Sequence, residues 1–132
     1  MEVIIVLVIV AVVEYFIHQS LSYTKFKRAQ NLFNAKDYLQ AINILNEIFD
    51  KHTNAPAKLA ECKFKLGLQA TFKSEKIKLF NEVTEIRKKI TNPASVAKFE
   101  NIEAKALFEI AKIQYEETKG DIEKLIQNIR FI

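Results

Sequence analysis

Apolar residues fill positions 3–13 almost without interruption, and beyond Tyr15 they recur every three or four positions among charged residues. The first pattern predicts a membrane helix and the second amphipathic helices of a soluble body. A spanning helix needs about 20 mostly apolar residues, because the hydrocarbon core is about 30 Å thick and each residue rises 1.5 Å. Residues 3–13 are too few alone. Extended through Glu14, Tyr15, Phe16, Ile17 and His18 to about Ser20, the run becomes long enough. A carboxylate at the bilayer centre costs about 2.5–3.5 kcal/mol on insertion scales, so Glu14 belongs nearer an interface. Tyr15 suits that depth too. The two alternatives are a buried core helix and a signal peptide. The latter wants a basic leader and a small-residue cleavage site, whereas Met1 and Glu2 precede the run and no A-x-A pattern follows it. The expected division is a transmembrane signal anchor at residues 1–20 and a helical domain at residues 21–132.

Lys25, Lys27 and Arg28 follow the run closely, and only the amino terminus is basic before it. The positive-inside tendency therefore predicts a single-pass membrane protein whose carboxyl-terminal domain faces the cytoplasm. Cys62 is the one cysteine, so no intramolecular disulfide forms, and no Asn-x-Ser/Thr acceptor occurs.

With two Gly, two Pro and no sustained strand alternation past the anchor, the domain reads as all-α. Because neither residue occurs before Pro56, the anchor is predicted to run straight on to about Asn34, a helix roughly 48 Å long. A turn at Ala35 and Lys36 follows, with Asp37 as N-cap of the next helix. Tyr38, Ala41, Ile42, Leu45, Ile48 and Phe49 give that helix one apolar stripe, and it is expected to end near Lys51.

Pro56 opens a third helix, to about Thr71, with apolar residues on two sides: Ala60, Phe64 and Leu68, then Leu59, Cys62, Leu66 and Ala70. Ser74 is placed as cap of a fourth, striped by Leu79, Phe80, Val83, Ile86 and Ile90. A long helix from about Ala94 carries Val96, Phe99, Ile102, Ala106, Ile110 and Ile113 inward. Gly120 is expected to end it, and Asp121 to cap a final helix with Ile122, Leu125, Ile126 and Ile129.

Residues 25–48 resemble a tetratricopeptide repeat. Ala29 and Leu32 lie in the first helix, and Asp37, Tyr38, Leu39, Gln40, Ala41 and Ile42 look like the family's D-Y-x-x-A-I signature. Ala41 matches the small residue where paired helices cross closest, with Leu45 and Ile48 at later packing positions. Lys25 stands where the family usually opens on an aromatic, and Lys36 where it has a turn glycine. Residues 106–126 carry a weaker likeness through Leu107, Ile110, Ala111 and Tyr115, then Gly120, Asp121 and Ile122. The resemblance implies an irregular array of about three helix pairs, since one pair cannot bury its own face.

Charge is uneven: residues 50–90 carry ten Lys/Arg against five Asp/Glu, and residues 91–132 six against seven. Scarce arginine and the absence of aromatic-interleaved basic motifs argue against nucleic acid. His18 and His52 lack an i, i+4 partner for a zinc helix, and two glycines make no phosphate loop. No catalytic residue, metal, cofactor or small-molecule substrate is therefore expected. The resemblance instead implies a membrane-anchored adaptor that binds a protein or peptide in a groove lined by Lys27, Gln30, Asn31 and Lys63. The alternative is a structural subunit of a larger membrane complex, with the anchor, and Glu14 in it, packed on other spanning helices.

Overall fold

The computed structural model describes residues 1–130. Helix α1, Glu2–Asn34, is continuous, as expected of a stretch with neither Gly nor Pro. Its first buried residue is Ser22, followed by Phe26 and Ala29. No residue of its apolar amino-terminal window is buried against the rest of the protein, and the window is long and apolar enough to cross a membrane.

The turn out of α1 is a Schellman motif. The Lys36 amide donates to the Phe33 carbonyl and the Asp37 amide to the Leu32 carbonyl, both at 2.9 Å. This geometry needs a left-handed residue, and Lys36 takes it at φ 63°. Asp37 then caps α2, Tyr38–Glu47, its carboxylate accepting from the Gln40 amide at 3.3 Å.

Helix α2 is shorter than its stripe suggested, closing at Glu47 instead of near Lys51. Ile48 and Phe49 lie in the turns that follow, Ile48 with only 1% of its surface exposed. Burial of an apolar side chain demands a position against the core, which a turn supplies as well as a helix. Pro56 sits in the first turn of α3, Ala55–Gln69, where its missing amide is no loss. Helix α4, Lys73–Ile86, begins one residue before the expected cap: Phe72 takes the capping position without a side-chain bond, and Ser74 falls inside the first turn. The Lys76 ammonium reaches back to the Gly67 and Leu68 carbonyls at 3.2 and 3.1 Å, satisfying acceptors at the end of α3. A 3₁₀ turn at Arg87–Lys89 leads to α5, Pro93–Arg130.

Helix α5 corrects the expected third pair, because it passes through Gly120 without a break and Asp121 caps nothing. A glycine inside a helix costs about 1 kcal/mol, too little to break the long helix that carries it. The array is therefore two helix pairs and one long helix.

Each helix packs on its neighbours in sequence, α1 on α2, α2 on α3, α3 on α4 and α4 on α5, with α3 also against α5. Ala29 and Ala41 are wholly buried, as close approach of α1 and α2 requires. The central core joins Leu45, Leu59, Phe80, Val83 and Phe99. Gly67 of α3 lies under Phe80 of α4, where a methyl group would stand 2.5 Å from a ring carbon.

Candidate partner-binding surface

The irregular segment between α2 and α3 clasps both ends of the array. His52 stacks on Phe26 of α1. Its Nδ1 accepts from the Asn54 amide at 3.1 Å, so that nitrogen carries no proton in the folded protein. Ser95 of α5 donates to the Thr53 carbonyl at 3.0 Å, and the Lys98 ammonium donates to Asn54 Oδ1. Burial, and then the charge of Lys98, hold the His52 pKa below its ordinary value. The cavity beside the loop is only about 60 Å³, about the volume of one or two waters and too small for a metabolite.

Several larger clefts open on the protein, and two of them combine lysines with large apolar residues. One, of about 250 Å³, runs between α3 and α5, lined by Glu61, Phe64, Lys65, Lys98, Asn101, Ile102 and Lys105. Phe64 and Ile102 give it an apolar floor and three lysines its rim. Glu61 is already engaged by Lys58 at 3.3 Å, and among the described residues Lys65, Lys98 and Lys105 form no ion pair. The rim is thus positively charged. The other cleft takes Asn46, Phe49, Asp50, Leu59, Lys63, Glu82, Glu85, Ile86 and Lys89 from α2, α3, α4 and the segments after them. Its charges are mixed.

The four residues expected to share a groove are not gathered into one. Lys63 pairs with Glu82 at 3.5 Å and lines the second cleft, to which α1 contributes nothing. Lys27 and Asn31 are exposed on α1, and Gln30 is half-buried there. Glu14 and Tyr15 are exposed within the apolar part of α1, Tyr15 edge-on to Phe16 with ring centroids 5.9 Å apart. Lys98 and Lys105, one face of α5 at seven-residue spacing, lie outside the more basic stretch that ends at Ile90. Their spacing from the inward Ile102 was the available signal.

Cys62 is wholly buried, and burial pushes its thiol up to about 12, so it stays protonated at neutral pH. Among the described residues no group of three or more His, Cys, Asp or Glu side chains gathers as a metal site would require. No protein-family model, curated protein or solved structure matches the chain.

Proposed function

We propose that the protein is a membrane-anchored adaptor that holds an acidic or amphipathic peptide segment of a partner in the cleft between α3 and α5. The cleft carries the reading: an apolar floor bordered by Lys65, Lys98 and Lys105, which form no ion pair among the described residues, suits a peptide that offers both acidic and apolar side chains. The packing of each helix on the next, with α3 and α5 also adjoining, supports a tetratricopeptide-like reading in which the groove would fall there. Helix α1 would cross the bilayer once, leaving the body on the cytoplasmic side beside Lys25, Lys27 and Arg28. Tethering then raises the body's effective concentration toward other membrane-held proteins, so modest affinity is enough.

A peptide-display selection on the full chain in lipid nanodiscs tests this. Acidic, amphipathic peptides should be enriched, should bind less as salt rises, and should lose at least tenfold in affinity with Lys65→Glu and Lys105→Glu, while Lys27→Glu changes little. Peptides indifferent to both cleft changes would sink the assignment. Glu14, a carboxylate in an exposed apolar segment, favours the second reading, a subunit of a membrane complex. In that case Glu14→Leu should release the chain from its assembly, whereas a simple tether tolerates it.

A further inference from the structure

Helix α5 has two apolar faces. Ser95, Phe99, Ile102, Ala106 and Ile113 are buried against the body. On the opposite side Phe108, Tyr115, Ile122 and Ile129 recur at intervals of seven, all exposed, with Tyr115 at 68% and Phe108 at 67%. Ala104, Ala111, Thr118 and Leu125 recur at the same interval between them, also exposed. A strict seven-residue repeat with three-four spacing is the seam of a coiled coil, and no side chain among the described residues covers it. The outermost helix of a stacked array ordinarily turns a polar face outward, which this one does not.

We infer that this seam pairs two copies of the chain, with their α5 helices antiparallel. The alternation of volumes selects the orientation. In a parallel pair like meets like, Phe108 and Tyr115 crowding their own copies while Ala104 and Ala111 leave gaps. In an antiparallel pair the large series meets the other, in which three of the four residues are small. One register fills every layer: Phe108 on the partner's Leu125, Tyr115 on the partner's Thr118, Ile122 on the partner's Ala111, and Ile129 on the partner's Ala104. Large against small across facing positions is how close-packed cores are made.

Lys105, Glu109, Lys112, Glu116, Lys119 and Glu123 alternate in sign along one border of the seam. Reversal brings Lys112 near the partner's Lys119, in two symmetry-related places, and each of these lysines has a glutamate one turn before and one turn after it on its own helix. A seam of this length, edged by the exposed Leu107 and Ile126 as well, covers an area on the order of the ~800 Å² per partner of a standard interface.

The full chain in mild detergent micelles should be a dimer by light scattering at micromolar concentration. Tyr115→Glu with Ile122→Glu should raise the dissociation constant by roughly a hundredfold or more, since each copy would bury two charges. Both residues are exposed in the single chain, so helix content and melting temperature of the monomer are the check that folding survives. A monomeric parent chain, or a dimer that persists in the double variant, overturns the proposal. Orientation is read by mixing Ala111→Cys chains with Ile122→Cys chains: a mixed disulfide is expected, and Ala111→Cys chains that cross-link to themselves instead would overturn the antiparallel arrangement.

Discussion

The ring of Phe26 lies flat against the imidazole of His52, their centroids 4.1 Å apart and their planes inclined by 11°. One side of the stack is a fully helical residue and the other an irregular loop, so the contact fixes the loop that also holds Ser95 and Lys98 of α5. Two helices that do not adjoin are thereby tied through one segment.

Burial of His52, and then the charge of Lys98, make stability depend on pH. Because the folded pKa of His52 lies below its ordinary 6.5, the unfolded chain binds the proton more readily. Its contribution is complete above pH 6.5, declines as pH falls through the folded value, and levels off beneath it. Melting temperature should drop between pH 7.5 and 5.5, and the drop should shrink in His52→Phe, which keeps a ring on Phe26.

Gly67 is where α3 admits the Phe80 ring. Gly67→Ala should destabilise the body by about 1–3 kcal/mol through overpacking, since the methyl group would sit 2.5 Å from Phe80 Cε1. Phe80→Leu removes the clash at the cost of ring burial, so denaturation of the double variant should show clear non-additivity. Two strictly additive penalties would mean the helices part locally at no strain.

Lys36→Gly should stabilise. A left-handed residue with a Cβ costs about 1–2 kcal/mol, and glycine's greater freedom in the unfolded chain returns about half of that, leaving a net gain of about 0.5–1 kcal/mol. Chemical denaturation should show a raised midpoint with an unchanged slope. Ala41→Leu should act oppositely, losing about 1–3 kcal/mol at a position with no exposed surface.

Removal of residues 1–18 should leave the body folded, because burial begins only at Ser22 and the Ser22 hydroxyl donates to Gln19, which remains. Circular dichroism should show a cooperative transition within a few degrees of the parent chain, and the shortened protein should no longer resist carbonate extraction from membranes. If the shortened chain is unfolded, the apolar segment belongs to the core.

The continuous α1, the Asp37 cap and Pro56 in its first turn were legible because each follows from a local rule: absent breakers, a short carboxylate ahead of an apolar stripe, a ring with no amide to lose. The stripe of α4 was legible in the same way through Phe80, Val83 and Ile86. At Gly120 the phase of the apolar residues outweighs the glycine. Ile122 and Ile129 continue the seven-residue beat of Phe108 and Tyr115, and a helix that ended at Gly120 would have had no reason to keep it. Which lysines share a cleft was not legible, since Lys65 and Lys105 meet only when α3 and α5 adjoin, a matter of tertiary packing. Lys63 was expected beside Lys27, and its partner Glu82 is a helix further on.

The unbroken α1 acts as a stiff axle. Tyr15, Ser22, Phe26 and Ala29 fall on one side of it, so the bearing of the apolar segment and the bearing of the body are locked together. One alanine inserted after Gln19 would swing the body through about 100° while shifting it only about 1.5 Å along the axis. Four would restore the heading to within about 40° at a height changed by about 6 Å. The azimuth of the body and its distance from the apolar segment are thus both written in the count of residues along a single helix.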